Sequence, residues 1–140
     1  MRIFFYGLYM DAALLESIGL HPEDVGAARL DDYRLQIGAR ATLVPDPGRA
    51  SYGFLLDLSA EEASELYSRP EVAGYAPVEV QATLLGDSSR HPATCYLLTT
   101  DQEAAEPNGE YAAKLAALVS RLGLPAAYAE EVMSFGRSRG

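Results

Sequence analysis

The sequence is poor in cysteine and in basic residues, and both shortages exclude kinds of protein. Cys95 is the single cysteine among 140 residues, so the chain has no intramolecular disulfide and no zinc site made of several thiolates. Its 11 lysines and arginines stand against 20 aspartates and glutamates, which gives a net charge of -9. That charge is unfavourable for binding nucleic acid or an anionic membrane surface. We therefore expect neither as a partner.

Long apolar runs are also missing. No run approaches the roughly 20 apolar residues that a membrane-spanning helix needs, and the apolar part of the opening MRIFFYG is too short for a signal peptide. We therefore expect a cytoplasmic protein. Its length is that of one domain, which we assign to residues 1–136, with a flexible tail at 137–140. The many acidic residues favour a monomer or a weak homodimer.

Short motifs of several enzyme classes are absent as well. The chain contains no G-x-S-x-G, no G-x-x-x-x-G-K-[ST] and no G-x-G-x-x-G, so serine triads, P-loop nucleotidases and classical dinucleotide enzymes have no support. His21 and His91 each precede a proline in an expected loop, and neither has a partner at metal-ligand spacing. We therefore expect no metal site.

The hydrophobic pattern predicts strands in the first two thirds of the chain and helices at its end. A Pro-Asp-Pro-Gly turn at residues 45–48 is expected to join two strands as a hairpin or a tight connection. This order is typical of an α+β fold, and we expect a small mixed β-barrel or curled sheet with flanking helices. Strands are predicted over residues 2–6, 30–37, 42–44, 50–58, 77–85 and 92–98, and helices over residues 11–18, 59–69, 110–122 and 125–135.

The first candidate site is the segment that follows the opening strand. Gly7 ends this buried strand, and a helix begins a few residues later. Such a geometry leaves backbone N–H groups pointing outward, ready for an anion or a carbonyl oxygen. The alternative is that Gly7 only makes a turn.

The second candidate site is Glu71. This residue lies between a helix stop and a strand, among apolar residues and a glycine. If its carboxylate points into a cavity, loss of solvent raises its pKa and makes it a competent general acid/base. The alternative is a solvated glutamate in a loop.

Taken together, several segments resemble the gamma-glutamylcyclotransferase-like superfamily. That family opens with a strand running into a Tyr-Gly-Ser/Thr-Asn/Leu loop, and a hairpin rich in proline and glycine follows. Next comes a glutamate four positions before a tyrosine. The pattern ends with a helix that has a tyrosine near its start, followed by the motif Gly-Leu-Pro-x-x-Tyr. The corresponding segments here are RIFFYGLYM at 2–10, LVPDPG at 43–48, GFLLDL at 53–58, Glu71 with Tyr75, Glu110 with Tyr111, and GLPAAY at 123–128.

The resemblance implies a gamma-glutamylcyclotransferase-like fold and an enzyme that cleaves a gamma-glutamyl amide. The substrate's own α-amine attacks the side-chain carbonyl, which gives 5-oxoproline and a free amine. By the match, Glu71 is the general acid/base, and no metal or organic cofactor is implied. The expected partner is a small-molecule gamma-glutamyl substrate, which backbone N–H groups and two tyrosines would hold. The substrate-binding residues are then Tyr6, Gly7, Leu8, Tyr9 and Tyr111.

The chain departs from the family pattern at several positions. Leu8 stands where the family usually has Ser or Thr, and Tyr9 stands where it has Asn or Leu. Val72 replaces the glycine that usually follows the glutamate, and Ala76 stands where an arginine is frequent. The retained Glu71 favours an enzyme, whereas the other changes leave open a non-catalytic binding module or a related acyl-amine reaction. The leaving amine could be a free amino acid, a lysine side chain or a dedicated small amine.

Overall fold

The computed structural model describes residues 1–98 and 108–137, apart from the side chains of Glu71 and of residues 136–137. Residues 101–109, whose polar sequence predicts a loop, and the tail predicted at 137–140 lie almost entirely outside this part. Within it, no helix has the length and apolar character needed to cross a membrane. The strands are β1 (Arg2–Phe5), β2 (Glu23–Ile37), β3 (Ala41–Asp57), β4 (Tyr75–Leu84) and β5 (Arg90–Leu98); the helices are α1 (Ala12–Ser17), α2 (Ala60–Leu66), α3 (Gly109–Arg121) and α4 (Ala126–Arg137), with 3₁₀ turns at Leu8–Met10 and Pro70–Val72.

The five strands close into a barrel in the order β1-β3-β2-β4-β5. Most neighbours are antiparallel, but β1 runs parallel to β5, where Ile3 pairs with Thr94. The predicted α+β fold with a small mixed barrel is thus confirmed. Closure removes the exposed sheet edges, which otherwise present unpaired backbone groups.

The prediction of two strands joined at residues 45–48 is wrong, because β3 is one continuous strand. It pairs with β2 around a turn at residues 38–40. The Pro-Asp-Pro-Gly segment is a bulge, since the register shifts between Asp31↔Ala50 and Tyr33↔Pro45. Asp32, at φ 67, accepts a hydrogen bond of 3.0 Å from the Gly48 N–H and so closes this bulge. The turn residues interrupt the pairing locally, and the strands resume it on both sides.

Side chains at the helix starts cap them. An aspartate at the start of the 11–18 helical pattern predicts a cap, and the Asp11 carboxylate accepts from the Ala13 N–H at 3.1 Å. The spacing of Ser59 and Glu62 predicts a capping box for α2, and these two residues exchange side-chain and backbone hydrogen bonds. Asn108 caps α3 by accepting from the Tyr111 N–H at 3.1 Å. This cap fixes where α3 presents its first aromatic side chain.

The core fills the barrel and continues under the two C-terminal helices. Phe4, Leu55 and Leu56 are fully or almost fully buried inside it, and Leu115 and Val119 bring the apolar face of α3 against it. Burial of each such side chain contributes about 1.5–3 kcal/mol. The packing therefore holds α3 against the end of β1, where the candidate site lies.

Candidate active site

A cavity of about 580 Å³ opens between the end of β1, the β2–β3 turn and the segment that joins α2 to β4. This volume is in the range of small-molecule sites. Tyrosines and apolar residues make up most of its walls, and two arginines add positive charge. The lining residues are Phe4, Phe5, Tyr6, Gly7, Leu8, Tyr9, Leu14, Ile18, Ala39, Arg40, Ala41, Tyr67, Arg69, Val72, Tyr75, Tyr96 and Tyr111.

The first wall of the cavity is the turn after β1. Gly7 leaves the strand in an extended conformation, and its carbonyl accepts from the Met10 N–H at 3.0 Å. The first N–H groups of such a turn have no partner inside it. A Cβ on Gly7 would lie 2.7 Å from the Tyr111 hydroxyl oxygen. A larger residue at position 7 would therefore displace the Tyr111 hydroxyl from this turn.

Tyr111 reaches this turn from the first turn of α3. Burial raises the pKa of its phenol, and the facing backbone N–H of Leu8 opposes that shift. The hydroxyl is thus neutral at physiological pH. It lies at the backbone of Gly7 and Leu8 and can act as a hydrogen-bond donor or acceptor there.

A second wall is aromatic. The Tyr6 hydroxyl donates to the Tyr96 carbonyl oxygen at 2.6 Å, which fixes the ring at the end of β1. Tyr67 stacks on Tyr96 with 3.6 Å between ring centroids and 13° between planes. Burial raises the pKa of both Tyr6 and Tyr67 well above the ordinary value. These phenols therefore stay protonated and contribute shape and hydrogen bonds but no charge.

Arg40 and Tyr75 form the third wall. Arg40, from the β2–β3 turn, donates from Nη1 to the Ala73 carbonyl oxygen at 2.5 Å. Its guanidinium lies over the Tyr75 ring, 5.3 Å from the centroid. The Tyr75 hydroxyl in turn donates to the Ala41 carbonyl oxygen. Burial raises the pKa of Tyr75 to about 12, and the nearby Arg40 charge acts in the opposite direction.

Glu71 belongs to the 3₁₀ turn Pro70–Val72. Arg69, two residues earlier in the sequence, and Val72, the next residue, both line the cavity. The Glu71 side chain lies outside the described part of the structure, so its role as acid/base stays a prediction.

The described part of the cavity wall carries positive charge. Among the described lining side chains, those with a formal charge are Arg40 and Arg69. In the same part of the chain, no three His, Cys, Asp or Glu side chains cluster as metal ligands would. The cavity thus suits an anionic or zwitterionic ligand with an apolar portion.

The residues assigned to substrate binding share one cavity. Tyr6, Gly7, Leu8, Tyr9 and Tyr111 all line it, although α3 is far from β1 along the chain. That they bind substrate stays a prediction.

Sequence reasoning missed most of the lining residues, and four of these make the side-chain contacts described above. Arg40, Tyr67, Tyr75 and Tyr96 received no site role from their own pattern, although Tyr75 helped to carry the resemblance. The unusual number of tyrosines was the available signal, but it did not show which of them meet. An arginine is also present beside Tyr75, although Ala76 stands where the sequence comparison expected one.

Comparison with solved structures identifies the fold. A protein described as gamma-glutamyl cyclotransferase superposes with a TM-score of 0.80 at 20% sequence identity, over 94% of this chain and 85% of that one. The uncharacterized protein loc79017 from Homo sapiens superposes with a TM-score of 0.79 at 22% identity and the same coverage. YkqA from Bacillus subtilis gives a TM-score of 0.81 at 21% identity, over 99% of this chain and 54% of its own.

The chain therefore has the gamma-glutamylcyclotransferase-like fold, which confirms the fold that the sequence resemblance implied. No protein-family model and no curated protein matches the sequence itself. At these identities the likeness establishes the fold, and the activity has to be argued from the site.

Proposed function

We propose that this protein is a gamma-glutamylcyclotransferase-type enzyme that releases 5-oxoproline from a gamma-glutamyl amide. The observation that carries the proposal is the meeting of three elements at one cavity. They are the Gly7 turn, Tyr111 of α3 and the 3₁₀ turn to which Glu71 belongs. The fold, shared with a gamma-glutamyl cyclotransferase, adds support.

The reaction exchanges one C–N bond for another. The α-amine nitrogen of the glutamyl group attacks its own side-chain carbonyl carbon, and the five-membered ring closes. The bond from that carbon to the leaving nitrogen then breaks. One proton leaves the attacking nitrogen and one joins the leaving nitrogen, so water is not consumed. Because the attack is intramolecular, the enzyme mainly has to hold the extended chain in a folded, reactive conformer.

Glu71 is the proposed proton carrier. A carboxylate can take the proton from the attacking amine and deliver it to the leaving amine, provided that its pKa lies near the working pH. Arg69, two residues before Glu71, and Val72, directly after it, line the cavity, which supports this assignment. No described acidic side chain competes for the role within the cavity.

The remaining lining groups have positioning roles in this proposal. Backbone N–H groups at Gly7, Leu8 and Tyr9 would bind the oxygen on which negative charge develops, or the substrate carboxylate; the Leu8 N–H would do so in exchange for its contact with the Tyr111 hydroxyl. Tyr6 and Tyr111, both neutral, would limit the space around the ring that forms. Apolar walls restrict water near the reacting carbonyl, which favours ring closure over hydrolysis.

The test is 5-oxoproline release from a panel of gamma-glutamyl amides. Removal of a general acid/base lowers the rate by about 10²–10⁴-fold, so we expect Glu71→Gln to lose activity to that extent. Glu65→Gln is the matched control, because Glu65 is an exposed glutamate of α2 that does not line the cavity. Equal activity of Glu71→Gln and wild type would show that another group carries the proton.

A non-catalytic ligand-binding module is the second candidate. It is favoured by Leu8 and Tyr9, which line the cavity in place of the family's smaller or more polar residues. Calorimetric binding of a gamma-glutamyl amide, without 5-oxoproline release by the wild type, would support this candidate and exclude the enzyme.

A further inference from the structure

The β2–β3 turn and the segment that contains Glu71 are tied together by two side chains that reach in opposite directions. Here the turn is residues 38–40, and the Glu71 segment is residues 70–75. Arg40 donates from Nη1 to the Ala73 carbonyl oxygen at 2.5 Å. Tyr75 donates from its hydroxyl to the Ala41 carbonyl oxygen at 2.5 Å. Each bond joins a side chain on one side to the backbone on the other.

The Arg40 guanidinium also packs on the Glu71 segment. It lies over the Tyr75 ring, and its Nη2 lies 3.5 Å from the position that a Cβ on Gly74 would occupy. Gly74 has φ 90, which only glycine adopts without strain. The segment therefore turns at Gly74, and the guanidinium lies against Ala73 and Tyr75 on either side of it.

Backbone hydrogen bonds hold the β2–β3 turn in place. Ladder pairing between β2 and β3 continues up to Ile37↔Ala41. The Gly38 carbonyl oxygen accepts from the Asn108 N–H at 2.9 Å, and the Gly38 N–H donates to the Arg40 carbonyl oxygen at 3.1 Å. The turn is thus fixed to the barrel and to the start of α3.

The Glu71 segment, by contrast, makes local backbone bonds. The Val72 N–H donates to the Arg69 carbonyl oxygen, and the Ala73 N–H donates to that of Pro70. These bonds close the 3₁₀ turn. The segment joins the barrel where Tyr75 of β4 pairs with Leu98, and the two side-chain bonds add its link to the β2–β3 turn.

We propose that Arg40 is a positioning residue that holds the Glu71 segment beside the β2–β3 turn at the cavity. This inference rests on the proposed function only for its catalytic consequence. A misplacement of about 1 Å can cost roughly 100-fold in rate. Arg40→Ala is therefore expected to lower kcat by about 10–100-fold, a larger factor than any rise in KM from the loss of one lining charge.

The kinetic test uses three variants of the full chain with a gamma-glutamyl amide turned over by wild type. Arg40→Ala is expected to lower kcat, and Arg40→Lys to recover part of it, because lysine keeps a cation over Tyr75 and a donor for Ala73. Arg29→Ala is the control, because Arg29 pairs with Asp31 on the surface and does not line the cavity. A raised KM with unchanged kcat in Arg40→Ala would show that Arg40 binds substrate instead and would overturn the proposal.

A second measurement tests the attachment by Arg40 without relying on enzyme activity. Amide hydrogen exchange in Arg40→Ala is expected to accelerate at Val72 and Ala73, while the amides of β1 keep their protection. Tyr75→Phe, which removes the reciprocal bond, is expected to do the same to a smaller extent. Unchanged exchange at both amides would overturn the proposal even if the enzyme is active. Faster exchange in a protein that releases no 5-oxoproline would uphold the attachment and reject the proposed function.

Discussion

Gly7 and Tyr111 meet at a distance that leaves no room for a side chain: a Cβ on Gly7 would lie 2.7 Å from the tyrosine hydroxyl oxygen. The contact joins the turn after β1 to the first turn of α3, so it closes the cavity where two distant parts of the chain meet. The hydroxyl also faces the backbone N–H of Leu8. This contact therefore couples the shape of the proposed binding turn to the position of α3.

The coupling can be measured with a double-mutant cycle. Gly7→Ala forces the half-buried Tyr111 side chain to move, and we expect it to reduce the free energy of unfolding by about 1–3 kcal/mol. In the Tyr111→Phe background the blocking oxygen is gone, so the same change is expected to cost less. Urea denaturation of the wild type, both single variants and the double variant gives the coupling energy. Strict additivity would contradict the contact.

Gly53 is a second position where a methyl group does not fit. A Cβ there would lie 2.0 Å from the Phe5 carbonyl oxygen, which is backbone of β1 and has little freedom to move. We expect Gly53→Ala to destabilise the protein by about 3 kcal/mol or more and to reduce the proposed release of 5-oxoproline. Gly86→Ala is the matched control, because nothing lies within 4 Å of its Cβ position. Thermal unfolding of the two variants compares them directly.

The Arg2–Asp57 ion pair predicts a pH dependence of stability. Two bonds, of 2.9 and 3.0 Å, join the side chains across β1 and β3. The hydrogen bond from Arg2 lowers the pKa of Asp57 in the folded state. The pair's contribution is therefore fully present above the unfolded pKa of about 3.9 and is lost as pH falls through the lower folded value.

Asp57→Asn removes this contribution. Because both side chains are about one third exposed, 35% for Arg2 and 30% for Asp57, we expect a loss of only about 0.5–1 kcal/mol at pH 7. The difference between wild type and variant should shrink below pH 4. Asp31→Asn, which breaks the more exposed pair with Arg29, should change stability less. A difference that grows on acidification would contradict the assignment.

Cys95 reports on global unfolding. Its side chain is fully buried in β5, and burial raises the pKa of the thiol. Since the thiolate is the reactive form, we expect a thiol reagent to modify the native protein only as fast as it unfolds. The measurement is the reaction rate with a chromogenic disulfide across a urea series. Rapid reaction without denaturant would show that β5 opens locally.

Local features of the sequence predicted much of the fold. The alternating pattern of β4 and the caps at Asp11 and Ser59 depend on neighbouring residues, and they identified their elements. The bulge at residues 45–48 was misread, because a turn motif and a bulge use the same residues. Which of them forms is decided by whether the flanking strand resumes pairing, and this involves a partner strand.

The sequence by itself was enough to select some residues of the candidate site, namely those of the Gly7 loop and Tyr111 at the start of α3. Only the tertiary structure brought Arg40 over Tyr75 and stacked Tyr67 on Tyr96. Those contacts depend on the register of β2 against β3 and on the parallel closure of β1 against β5. A one-residue change in register turns every side chain of a strand to the other face, and no local pattern in one strand contains that information about its partner.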